Sequence, residues 1–133
     1  SGLVAIAAAL AGADQVIAND IDPYAHVAIA ENAELNGVVI GIDALDHAAG
    51  NVEINADILL AGDIFYDQDM AVRFEPWLRQ LAGLGKTVLI GDPDRSYLPE
   101  QGLSLLAEYQ VPVTRALEDN EIKRSRVFAV KPA

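Results

Sequence analysis

The chain is 133 residues long, 52% hydrophobic, free of cysteine, and carries a formal net charge of −11. That length holds one domain with a real core, and the apolar content argues against disorder. Without cysteine there is neither a disulfide framework nor a Cys-based zinc site, and so acidic a surface does not draw in a phosphate backbone.

The same acidity favours a basic protein substrate at long range, and it also serves simple solubility. No apolar run is long enough to span a bilayer, so no membrane partner is expected. The opening LVAIAAALAGA is short and lacks a basic stretch before it, so it does not read as a signal peptide. These features together lead to the expectation of a cytoplasmic protein.

In chain order, Leu3 to Ala11 reads as an almost wholly buried helix stopped by Gly12. Gln15 to Asn19 is a short strand. Asp22 is a good N-cap and Pro23 a good first helical residue, so a helix is expected to run to about Asn36, with Gly37 as its stop. Val38 to Ile42 is the next strand, and Val52 to Ile54 reads as a short extended piece. Ile58 to Ala61 is apolar throughout, as in a strand buried on both faces. Asp67 or Asp69 then caps a helix to about Leu81, with Val72, Trp77, Leu78 and Leu81 on its apolar side.

Thr87 to Ile90 is another apolar strand, and Pro99 to Tyr109 reads as a helix opened by its proline. Val111 to Leu117 and Arg124 to Val130 are strand-like runs around the polar turn EDNEIK, which predicts an antiparallel hairpin at a sheet edge. The alternation gives a single α/β domain over residues 1–133, with a Rossmann-like, doubly wound, mostly parallel sheet and a C-terminal antiparallel hairpin. Such a fold begins with a strand, whereas this chain begins with a helix. The expectation is therefore that the first central strand is missing from the chain as given, leaving its two neighbours unpaired.

In open α/β sheets ligands gather beyond the carboxyl ends of the strands. Asp20 lies at such an end and has the acceptor capacity for two ribose hydroxyls, although ordinary solvation of a strand end explains it as well. Asp22 is accounted for by capping. Gly2, at a helix N-terminus, would let a ligand approach backbone N–H groups. Asp43 follows a strand and reads either as an acceptor for an adenine amine or as a loop residue in water.

GDIFYDQD, Gly62 to Asp69, places carboxylates and two aromatics just past a strand. One reading is a pocket rim in which Asp63 orients an amine and a ring shelters a methyl or ammonium group. The other packs Phe65 and Tyr66 back onto the core. Asp67 and Asp69 read as capping residues, and a calcium loop lacks the required glycine and glutamate. In GDPDRSYLP, Asp92-Pro93 forces a turn, and Arg95 reads as pairing with local acids. His26 and His47 have no ligand spacing and read as exposed surface residues, so no metal is expected.

SGLVAIAAALAGADQVIANDIDPYAHVAIAENAELNGV resembles the start of a class I S-adenosylmethionine-dependent methyltransferase, entering within the family's first motif. AGDIFYD followed by LIGDPDRSYLP is similar to the group around the lysine methyltransferase of the electron-transfer flavoprotein β-subunit. Its members are often labelled nicotinamide N-methyltransferases, and the ribosomal protein L11 methyltransferase is a broader relative. The resemblance implies S-adenosylmethionine as cofactor and methyl transfer to a protein lysine. It implies cofactor-binding roles for Gly2, Asp20, Asp43 and Gly62. Asp63 and Tyr66 would line the slot where the amine meets the methyl group, with Asp20 and Asp63 facing one shared cavity. The alternatives are a small-molecule, nicotinamide-like N-methyltransferase and a non-catalytic nucleotide-binding or interaction module.

Overall fold

The structure, a computed structural model, describes residues 1–114 and 120–133. The chain divides into two compact units, Ser1–His47 and Ala48–Ala133. Its strands form two hydrogen-bonded sheets, one in each unit. None of the helices described is long and apolar enough to cross a membrane.

The first unit is built from α1 (Leu3–Leu10), β1 (Ile17–Asn19), α2 (Pro23–Leu35) and β2 (Gly41–Asp43). β1 and β2 pair in parallel, with Ile17 opposite Gly41 and Asn19 opposite Asp43. Asp22 caps α2 by accepting the Tyr24 N–H at 2.9 Å, and Pro23 supplies the pre-set first turn, as its sequence signature requires. Gly37, at φ 64°, follows the helix in the left-handed region that glycine tolerates. The β2 strand starts later than expected, at Gly41 instead of Val38. Helix α1 is not the buried element expected: among its residues only Ile6 is buried, and Leu3 is 73% exposed. Its small alanines bury little surface, which leaves Ile6 as the one buried residue of the helix.

The second unit holds β3 (Ile58–Gly62), α3 (Gln68–Gly83), β4 (Thr87–Asp92), β5 (Leu103–Thr114) and β6 (Asn120–Val130). Its sheet has the order β3-β4-β6-β5; β3 and β4 are parallel, and β6 runs antiparallel to both β4 and β5. The antiparallel hairpin at the edge is therefore present and longer than expected. It absorbs the segment predicted as a helix over Pro99–Tyr109. Leu, Ala and Glu favour a helix locally, but Leu103 to Thr114 hydrogen-bonds along β6, and that ladder overrides propensity. Leu117 and the first two residues of the EDNEIK turn lie outside the described residues. The Val52–Ile54 segment forms no strand. The carbonyls of Ile54, its last residue, and of Ala56 just beyond it accept hydrogen bonds from Lys86 Nζ.

The core of this unit comprises Phe65, Leu78, Leu81, Val88, Ile90 and Val130. Phe74, Leu78 and Leu81 recur at helical spacing and turn that face of α3 onto the sheet. Val72, expected on the apolar side, is exposed instead. Asp67 caps α3, accepting the Met70 N–H at 2.8 Å. Strand β3 is not buried on both faces: Ile58 and Leu60 are exposed, while Leu59 and Ala61 turn toward the core.

Candidate functional site

Each of the four parallel strands among the described residues ends in, or is followed at once by, an aspartate. These are Asp20 after β1, Asp43 in β2, Asp63 after β3 and Asp92 in β4. Within each unit the strands are parallel, so the two aspartates of a unit lie at the same end of its sheet.

In the first unit the ladder continues one step past β1, with the Asp20 N–H donating to the Asp43 carbonyl at 3.1 Å. The two predicted cofactor residues are thus neighbours. Asp20 Oδ1 accepts the Asp22 N–H at 3.0 Å, which leaves Oδ2 with no partner among the described residues. The Asp20 carbonyl accepts from His26 Nε2 at 2.5 Å. Asp43 Oδ1 accepts the Leu45 N–H at 3.0 Å, and Oδ2 pairs with His47 Nε2. The Leu45 N–H and then the His47 ring hold the Asp43 carboxyl below the usual carboxylate range. Neither histidine is the exposed surface residue expected; His47 in particular shows only 12% of its side chain to solvent.

Gly2 adopts φ 77°, and a Cβ there would stand 3.3 Å from Ile29 of α2. The visible need for glycine is therefore the approach of α1 to α2, reinforced by Asn32 Nδ2 donating to the Ser1 carbonyl at 2.8 Å. The position is also the N-cap of α1, with no side chain of its own on the first-turn N–H groups.

In the second unit Gly62 of β3 lies opposite Gly91 of β4, so two adjacent strand ends present bare backbone. A Cβ at Gly91 would meet nothing within 4 Å. Asp63 follows in the left-handed region at φ 51°, its N–H donating to the Gly91 carbonyl at 2.8 Å. Its carboxylate is gripped by Arg95, with Nε to Oδ1 and Nη2 to Oδ2 both at 2.7 Å. That guanidinium holds the Asp63 carboxyl below the usual range. The two aromatics of GDIFYDQD part company: Phe65 is fully buried in the core, whereas Tyr66 is 53% exposed. Phe65 thus packs onto the core as one reading has it, and Tyr66 does not.

Sequence reasoning missed Asp92 as more than a turn residue. The alternation that buries Val88 and Ile90 also turns Asp92 inward, where it is 0% exposed. Its Oδ1 accepts the N–H groups of Asp94 at 2.7 Å and Arg95 at 2.8 Å, and its Oδ2 is buried without a partner among the described residues. Asp94, also left-handed at φ 75°, is held by Arg124 at 2.6 Å and Arg126 at 2.5 Å from β6. Among the described residues, Asp63 and Asp94 are the two non-glycine residues at positive φ, and both are tied to arginine. Such strain persists where the surroundings over-determine the backbone, and a short acidic side chain tolerates it best.

Residues 1–66 match the family model described as ribosomal protein L11 methyltransferase (PrmA). The electron transfer flavoprotein beta subunit lysine methyltransferase of Rattus norvegicus is 35% identical over 140 residues, covering 98% of this chain and 53% of that protein. The chain belongs to the class I S-adenosylmethionine-dependent methyltransferases. It spans about half the length of the curated relatives it matches. The family's fold is shared with the ribosomal protein L11 methylase of Lactobacillus delbrueckii subsp. bulgaricus. That match has TM-score 0.60 and 22% identity and covers 98% of this chain and 65% of the other. Sp1610 of Streptococcus pneumoniae, solved in complex with S-adenosyl-L-methionine, matches with TM-score 0.56 and 17% identity over 99% of this chain and 63% of its own.

Proposed function

We propose that this methyltransferase moves a methyl group from S-adenosylmethionine to a lysine amine of a protein, with the electron transfer flavoprotein β subunit as the candidate substrate. The observation that carries the reading is the aspartate at the end of every parallel strand described. In the first unit the free Oδ2 of Asp20 suits a ribose hydroxyl donor, and the half-engaged Asp43 beside it suits an adenine amine. The fit is strengthened by charge, because Ser1–His47 contains acidic residues and no Lys or Arg to compete for those acceptors.

Bound S-adenosylmethionine supplies a methyl group already activated by its sulfonium charge. The chain's own residues then have little chemistry to perform; they place the amine and exclude water. Gly62 and Gly91 leave the backbone bare at the strand ends, which gives room for close approach. Asp63 accepts a hydrogen bond from the amine, Tyr66 offers an exposed ring beside it, and the amine's proton leaves to solvent. The name of the curated relatives supports lysine as the acceptor.

The test is incubation of the intact protein with tritiated S-adenosylmethionine and electron transfer flavoprotein β subunit. The expected outcome is label recovered as methyl-lysine in the protein fraction. Label confined to the small-molecule fraction, or no transfer from a preparation shown to be folded, overturns the reading.

A further inference from the structure

Arg95 is held as deliberately as the carboxylate it grips. Buried Asp92 accepts the N–H groups of residues 94 and 95, which fixes the loop that presents the Arg95 side chain. Arg124 and Arg126 occupy Asp94, so that neighbour does not compete for Arg95. The result is a bidentate pair between side chains 44% and 46% exposed, on a backbone forced into the left-handed region at Asp63. A fork this well aligned is more than a screened surface contact.

Resting on the lysine-methylation reading, we propose that Arg95 is a positioning residue that sets the charge of the acceptor slot. A lone carboxylate beside a lysine ammonium stabilises the charged form and raises its pKa. Only the neutral amine has a lone pair to give, so an unpaired Asp63 would hold the substrate in the unreactive state. With Arg95 bound, Asp63 still accepts a hydrogen bond but presents almost no net charge. The charged groups acting on this pair are Asp92 at the end of β4 and Lys123 on β6. They are of opposite sign, so the Asp63–Arg95 pair itself decides the local balance.

The probe is sinefungin, which carries an amine-bearing carbon where S-adenosylmethionine carries its sulfonium methyl. S-adenosylhomocysteine, which has no cation there, is the control. The readout is the ratio of their affinities by calorimetry at neutral pH on the intact protein. Arg95→Gln frees Asp63 and raises the sinefungin preference by roughly two- to fivefold, the scale of a partly exposed ion pair. Arg95→Lys leaves the ratio near the wild-type value, and Asp63→Asn, which strands Arg95 alone, lowers it. In methyl transfer, Arg95→Gln shifts the pH profile of kcat, which reports the bound amine, upward. If S-adenosylhomocysteine binds and the ratio is the same in all three variants, the inference falls while the methyltransferase reading stands. If the wild type binds neither ligand, both fall together.

Discussion

The two units end their parallel strands in the same residue, but the second grips one of those carboxylates, Asp63, with an arginine far along the chain. In Ser1–His47 the carboxylates of Asp20 and Asp43 are held by partners two or four residues away: the N–H groups of Asp22 and Leu45, and His47. In Ala48–Ala133 the strand-end Asp63 is gripped by Arg95, 32 residues away. The strand-end Asp92 is buried and accepts the N–H groups of Asp94 and Arg95. The loop residue Asp94 is held by Arg124 and Arg126, 30 and 32 residues away. All nine basic residues of the chain lie in this second unit. The first unit therefore offers acceptors to a donor-rich, cationic ligand. In the second, Asp63 arrives already paired with an arginine, which suits a slot where an amine must be neutral.

The sharpest way to break this comparison is to remove the anchor that holds the second site to its core. Phe65→Ala is expected to cost about 3–5 kcal/mol, since a fully buried ring is replaced by a cavity. Chemical denaturation reads this directly, and a cost below about 1 kcal/mol would mean that Phe65 is not the anchor. Next in size, Asp20→Ala weakens S-adenosylhomocysteine binding by roughly ten- to a hundredfold, the range for hydrogen bonds to a charged acceptor. Calorimetry on the folded variant checks it, and unchanged affinity would separate Asp20 from the ligand. Asp92→Ala orphans two loop N–H groups and costs about 1–3 kcal/mol of stability; a thermal melt that does not move would detach the loop from its buried carboxylate.

Which of these positions the bare sequence reveals depends on how far the partner lies along the chain. Asp22-Pro23 and Asp67 are readable as caps because capping is a contact over two or three residues. The apolar runs at β3 and β4 announce strands, and through them the aspartates at their tips. The Arg95 grip on Asp63 spans 32 residues and has no local signature, so the sequence shows only an arginine in an acidic chain. The buried state of Asp92 is partly legible. Counting by twos from Val88 and Ile90 lands on it, but a run ending in Gly-Asp-Pro reads first as a turn. Leu103 to Tyr109 misleads for the opposite reason, its local helix propensity being overruled by pairing with β6.

Smaller effects sharpen the contrast between the neighbours in GDIFYDQD. Asp67→Ala removes the α3 cap and costs about 1 kcal/mol. Tyr66→Ala, at an exposed ring, changes stability by no more than about 0.5 kcal/mol while lowering methyl transfer. A Tyr66 variant that loses stability but keeps activity would reverse those assignments. The smallest effect is with acid. Asp43 and Asp63 both have carboxyls held below the ordinary value of 3.8, so their contribution is present above that pH and is lost as pH falls through their lower folded-state values. Asp43→Asn should make the melting temperature less steeply dependent on pH in that acidic window, and an unchanged slope would count against the Leu45 and His47 contacts.

The most direct measurement is a calorimetric titration of the intact, folded protein with S-adenosylhomocysteine, run in parallel on Asp20→Ala and Asp43→Asn. Strand-end aspartates that bind the adenosyl group predict saturable heat in the wild type, a marked loss with Asp20→Ala and a smaller one with Asp43→Asn. Absence of heat in the wild type at millimolar ligand, or equal affinity in all three proteins, would contradict that assignment.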